Sequence, residues 1–79
     1  MAKMQAYVFV MSKPLQAKQT AQRIAKLAGV KLVDRCWGRP DLIVFLEARD
    51  GKALEDVVLG KIAKVPGVQA TETHLVVGS

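Results

Sequence analysis

Val8-Phe9-Val10-Met11 and Ile43-Val44-Phe45-Leu46 are two apolar runs of β-forming residues. Each leads through a helix-like stretch to a glycine, in Leu27-Ala28-Gly29-Val30 and in Val65-Pro66-Gly67-Val68. Gly29 and Gly67 lie 67 − 29 = 38 positions apart, as do Val8 and Leu46 (46 − 8 = 38). Two such strand–helix–glycine–strand halves in 79 residues predict an α+β, ferredoxin-like βαββαβ sandwich, a four-stranded antiparallel sheet with two helices on one face.

Local signals predict where the two helices begin and end. The first is predicted over residues 15–28, with Ser12 as its cap and Pro14 in its first turn. The second is capped by Asp50 and contains Gly60, which disfavours a helix and which we therefore expect to pack closely against the sheet.

The strands are predicted at residues 6–11, 30–37, 42–48 and 68–77, in the order 4-1-3-2, so that the first and third are central. Both central strands are apolar at almost every position, whereas alternation is expected where one face meets helices and the other meets water. Two helices can cover only one face. The sequence therefore predicts dimerisation through the sheet, as in a dimeric α/β barrel.

Size and composition indicate one domain over residues 1–79, with its core over residues 6–77. A hydrophobic content of 51% is high for so small a chain and indicates a homo-oligomer. The single cysteine, Cys36, fits a reduced, cytoplasmic chain, and no segment resembles a signal peptide or a membrane span. We expect no membrane partner. The absence of asparagine is typical of thermophiles, although five glutamines count against that reading.

Residues suited to catalysis are few, so we expect that the protein is not an enzyme. His74 is the one histidine, and Glu72 lies two positions away on the same face of a strand, which is more typical of a strand surface than of acid–base chemistry. We expect Cys36 to be a small core residue. The sequence has no glycine-rich phosphate loop and no metal-ligand cluster, so we expect no cofactor and no metal.

Nucleic acid is a second class of partner, because the net charge is 12 − 7 = +5. The lysines are spread along both helices, which favours solvated helix faces. Ferredoxin-like sheets that bind single-stranded RNA stack bases on exposed aromatic residues of the central strands. Tyr7 and Phe9 suit that role, but residues 42–46 lack the basic, glycine-flanked aromatic signature.

Two short pieces are not explained by the core: the turn Gly38-Arg39-Pro40-Asp41 and, on the final strand, Thr71-Glu72-Thr73. The two threonines point to the same face of the strand. A free α-amino acid carries a carboxylate, which threonine hydroxyls and the N–H groups of a glycine turn can bind, and an ammonium, which Asp41 can bind. Aspartate in turns and threonine in strands are also common structural choices.

Together these pieces resemble the effector domain of the Lrp/AsnC ("feast/famine") transcriptional regulators, also called RAM, for regulation of amino acid metabolism. The resemblance lies in Gly38-x-x-Asp41, an apolar strand, a helix, and Val65-Pro66-Gly67-Val68-x-x-Thr71-x-Thr73, and it covers residues 6–77. The chain departs from the family pattern at Pro40, where such domains usually have an aromatic residue.

The resemblance implies a domain that pairs through its sheet and joins dimers into a ring, such as an octamer, with amino-acid effectors bound between dimers. Carried over by position, the ligand-binding residues are Gly38, Arg39, Pro40, Asp41, Thr71 and Thr73. Full-length members place a helix-turn-helix domain first, whereas only residues 1–5 precede the first strand here. We therefore expect a stand-alone module that does not bind DNA directly, with full-length relatives as candidate partners.

The leading hypothesis is a non-enzymatic amino-acid-sensing and oligomerisation module of transcription regulation. One alternative is a pure assembly subunit that binds related regulators and no small molecule. Another is a ferredoxin-like domain that binds single-stranded nucleic acid. The last alternative is a small enzyme that uses His74 or Asp41, and the sequence indicates no substrate for it.

Overall fold

The computed structural model of the protein describes residues 3–78. The elements follow in the order β1 (Met4–Ser12), α1 (Ala17–Ala25), β2 (Val30–Arg35), β3 (Leu42–Ala48), α2 (Gly51–Gly60), a short 3₁₀ helix (Ile62–Lys64) and β4 (Val68–Leu75). The sheet has the order β2-β3-β1-β4, and its neighbouring strands are antiparallel. The predicted βαββαβ fold and its strand order are confirmed.

The core lies between the helices and one face of the sheet. It is formed by alternate residues of the two central strands and by the inward residues of the helices: Ala6, Val8, Val10, Leu42, Val44, Leu46, Ile24, Leu54, Val57, Val58 and Ile62. Successive side chains of a strand point to opposite faces, which is why every second residue of β1 and β3 is buried here. Burying one Val, Leu or Ile contributes roughly 1.5–3 kcal/mol, so this layer is the main source of stability.

The start of the first helix differs from the prediction. Ser12 is not a helix cap: it is the last residue of β1, and its N–H donates a hydrogen bond of 2.8 Å to the carboxylate of Asp41. Leu15 has a φ of 67°, which is incompatible with a right-handed α-helix, and α1 begins only at Ala17. Ser12 joins the strand because its partner lies 29 residues away in the sequence, beyond the reach of local signals.

The other boundaries lie close to the predicted ones. β3 spans the predicted residues, and the Asp50 carboxylate caps α2 by accepting a hydrogen bond of 2.8 Å from the N–H of Ala53. β2 and β4 end at Arg35 and Leu75 rather than at 37 and 77. The expectation for Gly60 was wrong, because Gly60 is exposed at the end of α2 and a Cβ there would meet nothing within 4 Å in the described part of the chain.

Gly67, which leads into β4, leaves no room for a side chain. Its φ is 99°, and a Cβ atom on it would collide with Oγ1 of the buried Thr20 in α1. Arg23 and Thr20 of α1 both donate to the carbonyl oxygen of Pro66, at 3.2 and 3.4 Å, and the N–H of Lys13 donates to the carbonyl oxygen of Gly67 at 2.8 Å. The turn before β4 is therefore held directly against α1.

Replacing Gly67 with alanine should lower the free energy of unfolding by about 1–3 kcal/mol, because alanine disfavours a positive φ and its methyl group would overlap Thr20. Gly60→Ala is the matched control, and it should leave stability unchanged or raise it by up to ~1 kcal/mol. Urea unfolding followed by circular dichroism measures both. Equal stability of the two variants would contradict the packing described for Gly67.

Candidate ligand-binding site

The turn between β2 and β3 contains four of the six predicted site residues and is fixed to the end of β1. The N–H of Asp41 donates to the carbonyl oxygen of Val10 (3.1 Å), and the N–H of Cys36 donates to the carbonyl oxygen of Asp41 (2.7 Å). The Asp41 side chain extends this contact by accepting from the N–H of Ser12. Asp41 therefore joins the turn to β1 through both its backbone and its carboxylate.

Arg39 and Asp41 form an ion pair at the surface of this turn. Nη1 of Arg39 lies 2.8 Å from Oδ2 of Asp41 and donates also to the carbonyl oxygen of Ser12, at 3.3 Å. The Arg39 side chain is 57% exposed, whereas that of Asp41 is 23% exposed. Oδ2 of Asp41 thus accepts two hydrogen bonds within the chain. The groups left for a ligand are the outer side of the guanidinium and Oδ1 of the carboxylate.

Thr71 and Thr73 lie on β4, opposite Val10 and Val8 of β1. Both threonines therefore point to one face, as expected from their spacing, and it is the face that carries the helices. Thr71 is half-buried and Thr73 is exposed at the edge of the sheet. Thr73 borders a cavity of about 360 Å³ whose other lining residues are Met4, Gly51, Leu54, Glu55, Val58, Leu59 and Leu75.

Within one chain, the turn and the two threonines are separated. β1 lies between β3, which begins just after Asp41, and β4, which carries Thr71 and Thr73. Two inter-strand spacings of ~4.8 Å put about 10 Å between the two backbones. The six predicted residues therefore form two groups, 38–41 on the turn and the threonine pair on β4, which a single chain does not bring together.

The end of the molecule that carries this turn also exposes two large apolar side chains that the sequence analysis did not single out. Trp37, after β2, and Leu15, before α1, are both fully exposed. Their turns are adjacent, since Arg39 and Asp41 both bind Ser12. A tryptophan is enriched where proteins meet partners. The one sequence signal for this surface was the position of Trp37 directly before the turn residues 38–41.

The second apolar surface is the face of the sheet that lies away from the helices, called here the open face. Its centre consists of Tyr7, Phe9, Met11, Leu32, Ile43 and Phe45. The Tyr7 and Phe45 rings pair across the strands with centroids 5.0 Å apart, and the Phe9 ring lies 4.6 Å from that of His74. The prediction that both faces of the sheet are apolar is confirmed.

Acidic and basic groups are both present at the margin of the open face, and Lys3 lies 3.8 Å from Glu47. Asp34, Glu47 and Glu72 share its side of the strands. The predicted pair of Glu72 with His74 is present, with Oε2 of Glu72 3.4 Å from Nε2 of the histidine. The Gln5 side-chain amide, which donates to Glu47 at 2.9 Å, holds the pKa of Glu47 below its usual value, and two nearby lysines act in the same direction. Glu47 is therefore ionised at neutral pH.

Other kinds of site have little support among residues 3–78. These residues contain no group of three His, Cys, Asp or Glu side chains that could hold a metal ion. Neither of their helices is long and apolar enough to cross a membrane. Cys36 lies outside the core, contrary to expectation: it is half-buried and lines a cavity of about 320 Å³ with Ala17, Arg35 and Trp37.

The chain belongs to the Lrp/AsnC family: the family model described as the Lrp/AsnC ligand binding domain matches residues 5–79. It is thus a regulatory domain related to transcriptional regulators rather than an enzyme. It is similar to an uncharacterized HTH-type transcriptional regulator of Pyrococcus abyssi, with 30% identity over 70 residues, which cover 89% of this chain and 44% of that protein. The chain therefore spans less than half the length of this curated relative.

Solved structures share the fold. A protein of Thermus thermophilus superposes with a TM-score of 0.90 at 29% identity, over 96% of this chain and 95% of that one. A transcriptional regulator of Neisseria meningitidis, solved as a complex with L-Met, superposes with a TM-score of 0.83 at 22% identity, over 95% of this chain and 50% of that one. The second likeness concerns the fold alone.

Replacing Asp41 with alanine should lower the free energy of unfolding by about 1–3 kcal/mol, because the backbone N–H of the buried Ser12 loses its acceptor. Asp34→Ala removes an exposed carboxylate from the neighbouring strand and should change stability by less than ~0.5 kcal/mol. Urea unfolding compares the two variants. If Asp41→Ala were as stable as Asp34→Ala, the carboxylate would not hold the turn to β1.

Proposed function

We propose that this chain is an amino-acid-sensing and oligomerisation module of the Lrp/AsnC family. The observation that carries the proposal is the Arg39–Asp41 pair, which offers a guanidinium and a carboxylate side by side at the surface of one turn. A free α-amino acid is a zwitterion and needs a partner for each charge. The complex of the Neisseria meningitidis regulator with L-Met supports this class of ligand.

In this proposal the residues of the turn have separate roles. Arg39 binds the ligand carboxylate, since a guanidinium matches a carboxylate with two parallel hydrogen bonds. Asp41 binds the ammonium through Oδ1, because its Oδ2 already serves Ser12 and Arg39. Gly38, with a φ of 92°, and Pro40 shape the turn and bring its backbone close to the ligand.

The complete site takes residues from two copies of the chain. One chain keeps the turn about 10 Å from the threonine strand, so Thr71 and Thr73 of a second copy supply hydroxyl groups to a ligand held by the turn of the first. The exposed Trp37 and Leu15 beside the turn support a contact between copies at this end. The resulting assembly is a ring of dimers, such as an octamer.

The dimer within that ring forms through the open face. Its central residues are aromatic or branched aliphatic, and the two helices cover only the opposite face. A second copy covers this apolar surface and leaves the acidic groups at the margin in contact with water. The alternative of single-stranded nucleic acid on this face is weakened because Lys3 and His74, two basic groups beside it, are already paired with Glu47 and Glu72.

Replacing Tyr7 with lysine should convert the dimer to a monomer, because it places a charge in the centre of the buried interface. Leu59→Lys is the matched control: Leu59 is similarly exposed but lies on α2, on the helix side of the sheet. Sedimentation velocity measures the mass of each variant, and circular dichroism verifies its fold. A folded Tyr7→Lys protein with the mass of the wild type would contradict dimerisation through the open face.

A panel of amino acids that begins with L-Met should contain at least one that raises the melting temperature of the wild type, since a ligand of the native state stabilises it by about 2.7 kcal/mol at a hundred times its Kd. Arg39→Gln should abolish the rise. Arg49→Gln, which breaks a similar surface pair with Asp50, should keep it. If no amino acid raises the melting temperature at millimolar concentration, the sensing part of the proposal is wrong.

A pure assembly subunit without a ligand is the second candidate, and the two hydrogen bonds that Asp41 makes within the chain favour it. In that case the Gly38-x-x-Asp41 turn is structural, and the partners are full-length members of the family. Recovery of such relatives in a pull-down, together with a melting curve that no amino acid changes, would distinguish this function from sensing.

A further inference from the structure

The charges of this chain are divided unequally along its length. Residues 1–33 contain no acidic residue and six basic ones: Lys3, Lys13, Lys18, Arg23, Lys26 and Lys31. The remaining residues, 34–79, contain 12 − 6 = 6 basic and all 7 acidic residues. The first part therefore carries +6 and the second −1. Such an asymmetry is typical of a protein that binds a polyanion. Solubility does not explain it, because either sign of net charge keeps a protein soluble.

The fold gathers five cations on one side of the helix layer. Lys18 and Arg23 lie on the outer side of α1, and Lys26 lies directly after its end. Lys64 lies just before the turn that leads into β4, and that turn is held to α1 because the Arg23 guanidinium donates to the carbonyl oxygen of Pro66. Lys13, directly after β1, lies beside the same turn because its N–H donates to the carbonyl oxygen of Gly67. This surface, called here the basic face, consists of Lys13, Lys18, Arg23, Lys26 and Lys64.

The cations of the basic face are available to a partner. All five residues are exposed, and the ion pairs found among residues 3–78 involve other cations, namely Lys3, Arg39, Arg49 and His74. Asp34 lines the cavity beside α1 together with Lys18, and Arg35 lies next to it in the same cavity. Gln19 and Gln22 are exposed on the same helix and add neutral hydrogen-bond donors.

The composition of the basic face indicates which class of polyanion it can bind. Stacking on single-stranded nucleic acid needs exposed aromatic rings, and insertion into a membrane needs a row of exposed apolar side chains. Between Lys18 and Lys26 the exposed residues are polar or alanine, and the apolar side of α1 is buried on the sheet. The nearest large apolar side chains are Leu15, in the turn before α1, and Trp37, which lines a cavity with Ala17. Both lie at the start of α1, so they form no row along the basic face.

We propose that the basic face binds the phosphate backbone of duplex DNA without reading its sequence. The eight-residue step from Lys18 to Lys26 spans about 12 Å of helix axis, and a duplex carries about seven phosphates over that length at one per ~1.7 Å of its own axis. The contact is made by charge and position rather than by reading bases, and it departs from the expectation that the chain does not bind DNA directly. It does not involve the turn 38–41.

The basic face lies on the helix side of the sheet and the open face on the other. Pairing through the open face therefore leaves the basic face exposed on both copies. An assembly of several copies then presents the same five charges repeatedly to one duplex, which raises the overall affinity without any new contact.

The test is fluorescence anisotropy of a labelled random-sequence duplex of about 20 base pairs, titrated with the 79-residue chain at about 20–200 mM NaCl. The logarithm of the affinity should fall linearly with the logarithm of the salt concentration, with a slope of about −4 to −5 if all five charges meet phosphates. The triple variant Lys18→Gln, Lys26→Gln, Lys64→Gln should bind at least about tenfold more weakly, with a slope smaller by about 3.

The matched control is the triple variant Lys3→Gln, Arg49→Gln, Lys52→Gln, which removes the same net charge outside the basic face and should keep most of the affinity. Circular dichroism verifies the fold of both. Absence of binding at the lowest salt, equal weakening by the two triple variants, or stronger binding to a single strand would each overturn the proposal. So would binding to vesicles that contain anionic lipids without binding to the duplex.

Discussion

Two helices can cover only one face of a four-stranded sheet, and the rest of this structure depends on that constraint. Buried residues of β1 and β3 alternate with residues of the same strands that nothing in the described part of the chain covers. The covered side supplies the stability of the monomer. The uncovered side, with the paired rings of Tyr7 and Phe45 at its centre, makes a lone copy incomplete. The proposed pairing of two copies therefore follows from how the sheet is built.

The turn that carries the candidate site depends on the same sheet. Asp41 reaches the last residue of β1 through its carboxylate and Val10 through its backbone, and Arg39 closes the contact from outside. These bonds fix the position of the guanidinium before any ligand arrives, so binding would not have to pay for ordering it. The same bonds give Asp41 a structural role that requires no ligand. An experiment therefore has to distinguish this structural role from a role in ligand binding.

Charge divides the surface into regions with different properties. The outer side of α1 and the turn before β4 are basic, whereas the margin of the open face carries carboxylates, one of which, Glu47, is held ionised by Gln5. The two proposed contacts, pairing through the open face and phosphate binding by the basic face, therefore use opposite sides of the sheet and would not compete.

Periodicity and short-range signals were enough to predict the order of the elements, the Asp50 cap and the apolar character of both sheet faces, and the predicted fold class implied the strand order. Other features depend on contacts between distant parts of the chain. Ser12 belongs to β1 rather than capping a helix because Asp41 accepts its N–H across 29 residues. Gly67, unlike Gly60, leaves no room for a side chain, because α1 places Thr20 against it. The predicted strand order already implied that β1 separates the threonines of β4 from the turn, and the pairing of β1 with both β3 and β4 confirms it.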